Sequence, residues 1–363
     1  MNLRIGTFNA QNLFERAKAL NLEEEADTAN VIKKIGDFQA LLKQSTYDKA
    51  GLWAAWLELK TYIDVNVEAG TFWKKRGNAV IGIAATGPDD WKGSVVFKKA
   101  PLNEIAREGT ARIIKDLKAD VLCMVEAEGN EALCSFNSDL LNRRYSEHLL
   151  IDSPNDPRGI DVGLFVRNGR IRTVRTHAFD RNPTNSREKI FSRDCLRVEV
   201  ALASGHTLHL LCNHFKSKLS TNAAASDARR KRQADRVAEI LNTDYNLETD
   251  LVAVLGDFND TPDSTALQDL LALPNLTDVF VRAGVPDADR WTYYYHSRKQ
   301  KTQIDFILVS KPLADALEKV EVMRRGMTGV VQGYVQGVAP YPSMTSWRQA
   351  ASDHAGLVAE FAL

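Results

Sequence analysis

Residues 251–260 read LVAVLGDFND: five apolar residues, a glycine, then Asp257, Phe258, Asn259 and Asp260. So short an apolar run, closed by glycine, predicts a strand covered on both faces. Side chains two apart on a strand point the same way, so Asp257 and Asn259 are aimed into one space at its end. A carboxylate and an amide placed there can hold a metal, a water or a phosphate oxygen. Gly, Asp and Asn also favour turns, so a plain turn is the competing explanation.

The same pattern recurs along the chain. RIGTFNA (4–10), DVLCMVEA (120–127), DVGLFVR (161–167), IRTVRTHAF (171–179), CLRVEVAL (195–202), TLHLLCNHF (207–215), QIDFILVS (303–310) and LVAEFAL (357–363) also read as strands. Polar residues sit at or near their ends: Asn9, Glu126, His214, Asp305, and Asp353 with His354. Strands deliver such groups to one rim of a sheet, and a rim of carboxylates, amides and imidazoles suits a hard cation and a phosphate ester.

Each residue has a plainer explanation. Glu126 meets a cation or forms a structural ion pair, because an unpaired buried carboxylate is expensive. His214 precedes Lys216 and Lys218, a possible phosphate clamp, but structural histidines are common. Asp305, inside IDFILV, needs a partner, and a histidine beside a carboxylate is a standard catalytic pair. Asp161 pairs with a site histidine or is a strand-end acid. Arg193 holds a phosphate oxygen or is a surface arginine. The run Arg229, Arg230, Lys231, Arg232 contacts a phosphate backbone or is a solvated helix face.

Bulk composition narrows the class. The 363 residues are 44% hydrophobic and 26% charged, as in a globular protein. Lys plus Arg and Asp plus Glu both total 47, so no histone-like coat binds nucleic acid by bulk charge. No apolar stretch approaches the ~20 residues of a membrane helix. The opening MNLRIGTFNAQNLF has no signal-peptide core and runs directly into a strand. Cys123, Cys134, Cys195 and Cys212 have no CxxC spacing. Free thiols in a reducing compartment follow, and with them a cytoplasmic location. Loops of the GxxxxGK[ST] type, GxSxG elbows and HExxH are absent.

Helices are expected over 103–118, capped by Asn103, and over 226–242, with Ser226 as the cap. Residues 15–100 read differently. Amphipathic helices over 29–43 and 51–63 precede a glycine cluster from Gly70 to Gly93. The segment is expected to be a helical insertion after the first strand of a single domain spanning 1–363. It shapes a substrate pocket or is a packing embellishment.

In order, TFNAQNL, VEAE, FSRD, NHFKS, GDFND, IDFILVS and SDH resemble the endonuclease/exonuclease/phosphatase superfamily, the group of deoxyribonuclease I, exonuclease III and sphingomyelinase. RGIDVGL, NHFKSK and GDFNDTP look most like bacterial members. The likeness spans residue 4 to the C-terminus, the insert excepted. It implies a four-layered α/β sandwich, two mixed β-sheets face to face and flanked by helices. It also implies a phosphoesterase dependent on Mg2+ or Mn2+.

Carried over by motif, Glu126 looks like the main metal acid, with Asn9 and Asp353 as further metal contacts. Asp257 is similar to the residue that activates the attacking water, and Asn259 to the one that orients it. His354, paired with Asp305, and His214, with Asp161 as its acid, would stabilise the transition state. Arg193 is similar to a substrate-contacting arginine, and Lys216 joins it on the substrate. The glutamine that commonly precedes the metal glutamate is Val125 here.

The implied activity is hydrolysis of a phosphodiester, with nucleic acid as the expected partner and neither a membrane nor a protein partner. A small-molecule or lipid-headgroup phosphoesterase is the alternative. A binding protein with a dead site is a third reading, opposed by the intact acids and histidines.

Overall fold

The apolar runs assemble into two six-stranded mixed sheets in a computed structural model that describes residues 2–22, 25–156, 158–218 and 222–363. Their strands are numbered here in chain order: β1 (Asn2–Asn9), β2 (Val121–Ala127), β3 (Glu147–Leu150), β4 (Asp161–Val166), β5 (Gly169–Arg175), β6 (Cys195–Leu202), β7 (Thr207–His214), β8 (Leu251–Asp257), β9 (Leu276–Asp278), β10 (Asp305–Ser310), β11 (Leu317–Met323) and β12 (Gly356–Ala362). One sheet runs β11-β12-β1-β2-β4-β3, the other β5-β6-β7-β8-β10-β9. The pairs β1–β2 and β7–β8 are parallel and the other pairs antiparallel.

Alternation along the strands builds the layers. Val121, Cys123 and Val125 of β2 turn inward to meet Leu251, Ala253 and Leu255 of β8 in the core between the sheets. The intervening Leu122 and Met124 turn outward onto Ile113, Ile114 and Leu117 of the helix Glu104–Leu117. On the far side, Val252 and Val254 pack on Val237, Ile240 and Leu241 of the helix Ala223–Asp244. Helix, sheet, sheet, helix is the four-layered sandwich expected, and both faces of each sheet are covered, which is why the strands read as continuous apolar runs.

All nine expected strands occur in the two sheets, although the run 171–179 is a strand only as far as Arg175. Within these two sheets the strands not foreseen, β3, β9 and β11, are all edge strands. Asn103 caps its helix, accepting from Ile105 N at 2.9 Å. Ser226 does not cap: the helix starts at Ala223 and Ser226 lies buried within it.

Residues 1–14, 102–218 and 224–363 make one compact unit, and 15–101 with 219–223 another. The second unit contains the helices Glu25–Leu41 and Lys49–Leu59, the latter capped by Asp48. It is not wholly helical: Ile63–Gly70 pairs with Trp91–Phe97, and Trp73–Arg76 with Ala79–Ile83. The helix expected over 51–63 stops at Leu59 because Ile63, Val65 and Val67 follow strand alternation, with Ile63 and Val65 buried. Its core joins Ile35, Phe38, Leu52, Phe72 and Val95. Residues 23 and 24 of the expected insert lie outside the described residues.

Candidate active site

Three neighbouring strands of one sheet carry a polar row. His214 is in register with Asp257, and Asp257 with Asp305. Gly256, just before, has φ +131° and sits against β7, so a Cβ there would fall 1.9 Å from Asn213 O. Only glycine lets the two strands approach so closely at this point.

The other sheet supplies Asn9, at the end of β1, and Glu126, near the end of β2. Glu126 is a bulge residue: Asp161 pairs with Ala127 and Val162 with Val125, leaving Glu126 unpaired. Its φ is +63°, a left-handed conformation unfavourable for a side chain of this size. Bulges re-aim side chains, and this one breaks the alternation that would otherwise put Glu126 on the face of Met124.

The two sets meet. Asn9 Nδ2 donates to Asp257 Oδ2 at 3.0 Å and lies 3.4 Å from His354 Nε2. Asn259, with φ +54°, donates through its backbone to Asp257 Oδ1 at 2.8 Å and through Nδ2 to Oδ2 at 3.1 Å. His214 Nε2 lies 3.6 Å from Asp257 Oδ2 and 3.8 Å from Glu126 Oε1. His354 Nδ1 lies 2.8 Å from Asp305 Oδ2, leaving Nε2 directed at Asp257, 3.8 Å away. Asp305 is held by Thr292, whose Oγ1 accepts from Asp305 N. Asp353 is partly exposed, its Oδ1 3.9 Å from His354 Nε2.

Burial sets the electrostatics. It raises the Glu126 carboxyl, with Asp353 adding to the rise and Arg158 opposing it. Asp257 is pushed up to about 7, chiefly by burial and by the neighbouring Asp305, against His354. Burial alone would depress His354, but Asp305, Asp257 and Asp353 hold it well above the ordinary imidazole range. His214 goes the other way: burial, Arg158, His354 and Lys216 keep it neutral.

Two residues not singled out in the sequence complete the cluster. Arg158 Nη1 lies 3.6 Å from Glu126 Oε1. Its fork donates to Asp156, and Asp156 Oδ2 also accepts from Arg193 Nε at 2.5 Å. One buried acid therefore fixes two guanidinium groups. Arg193 is 3% exposed, not a surface arginine, and also donates to Phe215 O. Lys216 is half-buried, and burial and Arg158 lower its pKa.

Asp161 is buried with its carboxyl pushed up to about 7 by burial. No hydrogen bond joins it to His214: Asp161 Oδ1 and His214 Nδ1 are each buried without a partner. The basic run is not a free surface either. Arg230 is fully buried on Asp260, Asp227 and Lys216 O. Arg229 donates to the carbonyls of Lys189, Ile190 and Phe191, Lys231 pairs with Asp235 and Asp269, and Arg232 with Glu188.

Asp257, Asp305 and His354 each offer one atom within 4.8 Å of the others, a group that could hold a metal ion. The wider donor set fits a hard cation. Glu126 and Asp257 are buried carboxylates raised by desolvation, and Asp305 Oδ1 is buried without a hydrogen bond. Asp305 Oδ2 and His354 Nδ1, however, already bind each other at 2.8 Å.

The sequence profile of the Endonuclease/Exonuclease/phosphatase family matches residues 96–354, and the chain belongs to that family. Its members are hydrolases of phosphoester bonds, generally dependent on a divalent metal. Among solved structures, the chain is similar to D. rerio TDP2 humanized by 14 mutations, at 17% identity, TM-score 0.50, over 71% of this chain and 91% of that one. It is also similar to D. rerio TDP2 complexed with single strand DNA product, at 16% identity, TM-score 0.50, over 70% and 92%. An endonuclease/exonuclease/phosphatase from Bacteroides vulgatus matches at 18% identity, TM-score 0.49, over 72% and 91%. At such identities the likeness is one of fold. No curated protein sequence matches the chain. No helix among the described residues is long and apolar enough to cross a membrane.

Proposed function

We propose that this chain is a nuclease, a divalent-metal-dependent phosphodiesterase that hydrolyses nucleic acid by in-line attack of water. The observation that carries the reading is the convergence of Asn9 and Glu126 from one sheet with His214, Asp257 and Asp305 from the other, around His354.

Glu126, with Asp353 and Asn9, would hold Mg2+ or Mn2+. Bound there, such an ion would supply Lewis-acid polarisation of a phosphoryl oxygen. Asp257 accepts the proton of the attacking water, a task suited to a carboxyl whose pKa burial has brought to about 7. Asn259 fixes that carboxylate by two hydrogen bonds and orients the water. His354, kept cationic by Asp305, faces the reaction with Nε2, and His214 offers a neutral imidazole. Arg158 and Arg193, preset by Asp156, and Lys216 bind phosphoryl oxygens, where fixed charge is worth most in a site that excludes water.

One observation favours a second reading, a small-molecule or lipid-headgroup phosphoesterase. The 229–232 run is consumed by internal partners and adds no basic track for a long polyanion. All four cysteines are unpaired, which fits the reducing cytoplasm proposed as the location.

The test is turnover of plasmid DNA, RNA, bis-p-nitrophenyl phosphate and p-nitrophenyl phosphate with Mg2+, Mn2+ or chelator. Metal-dependent plasmid nicking or RNA cleavage is expected. Diester cleavage with inert polynucleotides would transfer the assignment to the second reading, and no turnover on any substrate would end both.

A further inference from the structure

The strand pair Tyr293–Tyr295 and Gln300–Thr302 carries a row of rings that begins at His354. Tyr293 forms an isolated β-bridge with His354, and their ring centroids are 4.9 Å apart. Tyr295 meets Tyr293 edge to face at 4.7 Å. The Arg298 guanidinium lies 5.6 Å from the Tyr295 ring centroid. Residues two apart share a face of a strand, so Tyr293 and Tyr295 lie together and Tyr294 on the other side. Tyr294 is the anchor: it packs with the buried Trp291 and Val330, and a Cβ on Gly329 would come within 2.8 Å of its ring.

The hairpin is also cationic. Arg298, Lys299 and Lys301 are exposed, and residues 291–304 contain no acid. Rings interleaved with cations, one end fixed on a site histidine, are the elements of a stacking platform for an unpaired base with its phosphates. In a duplex the base faces are already stacked and only edges are offered.

We infer that this hairpin stacks a nucleobase flanking the scissile phosphate, through Tyr295 and Tyr293, so that the substrate is a single-stranded or frayed polynucleotide. The inference rests on the nuclease reading and specifies its substrate. Arg298 and Lys299 hold the backbone phosphates of the same strand, whereas Lys301 pairs with Tyr294 and lies over the Trp291 ring on the other face.

Fluorescence anisotropy in chelator, where no turnover occurs, tests it with a labelled single-stranded oligonucleotide and a strand of equal length built of abasic residues. Stacking is worth about 1–3 kcal/mol per base. The protein should therefore bind the base-bearing strand at least about fivefold more tightly than the abasic one. Tyr295→Ala should erase that preference and Tyr295→Phe should retain it, with circular dichroism and a thermal melt establishing that both fold. Equal affinity of the unmodified protein for the two strands overturns the inference without any variant. A parallel arm measures metal-dependent hydrolysis of bis-p-nitrophenyl phosphate and of the oligonucleotide. Hydrolysis of both with no preference for bases removes the platform alone, whereas hydrolysis of neither removes the enzyme reading itself.

Discussion

Asn9 Nδ2 donates to Asp257 Oδ2 at 3.0 Å, and this bond joins the ends of two different sheets. The residues are 248 positions apart, yet each lies at the end of its own strand. Asn9→Ala leaves a buried carboxylate short of a donor, which costs about 1–3 kcal/mol. The expected result is a lower melting temperature and about tenfold or greater loss of kcat, read by thermal melt and diester hydrolysis. Unchanged kcat would mean that Asn9 is only a packing residue.

Glu126 should carry the response to metal. A cation that binds only the folded protein stabilises it by mass action. Mg2+ or Mn2+ should raise the melting temperature of the native sequence over its value in chelator, and Glu126→Ala should abolish most of that rise. Its turnover should fall by about 10²-fold or more. A full metal-induced rise in the variant would move the ion to other ligands.

The pairing of His354 with Asp305 makes a directional claim about pH. The carboxylate holds the imidazolium, so activity that needs charged His354 persists into the alkaline range. Asp305→Asn removes a negative neighbour and lowers the imidazole pKa. The alkaline limb of the kcat–pH profile should move to lower pH, with kcat reduced. A limb that stays in place would assign it to another group.

Asp161 tests linkage rather than chemistry. Its carboxyl is raised from 3.8 to about 7 by burial, so across that interval the folded chain keeps a proton that the unfolded chain has lost. The contribution of Asp161 to stability then falls as pH rises from about 4 to about 7, by about 1.4 kcal/mol per unit at most. Asp161→Asn should flatten that slope in urea titrations. If the variant also loses turnover while stable, Asp161 serves His214 despite the missing bond.

In the helix Ala223–Asp244 neighbouring cations have opposite prospects. Arg230 is fully buried between acids, and removing one partner of a buried pair costs about 3–5 kcal/mol. Arg230→Ala should lower the urea midpoint strongly. Lys231 forms exposed pairs of little worth, and Lys231→Ala should shift the midpoint hardly at all. Equal effects would contradict the burial described.

The strands legible in the sequence were those covered on both faces, because uninterrupted apolar runs leave few alternatives. Within the two large sheets those that escaped are at the margins: β3 and β9 are three or four residues long, and β11, LEKVEVM, mixes charges with valines and carries a register shift. Edges are half-solvated, so their pattern is diluted. The site residues were legible where a polar group interrupts such a run, as at Glu126 and Asp305. Arg158 and Asp156 stand in the loop before β4, where an arginine and an aspartate carry no periodicity and look like solvated turn residues. The four-residue cationic run misled for the converse reason: charge is visible in a sequence, but its partners across the fold, Asp260 and Glu188 among them, are not.

The bulge that turns Glu126 toward the other acids has an evolutionary price. A glycine would occupy φ +63° more comfortably, and without its carboxylate the neighbouring acids would repel less. Selection for heat resistance alone would therefore erode this position early, trading turnover for durability. If Glu126 holds the metal as proposed, a homologue with glycine there is expected to melt higher and to turn over no substrate.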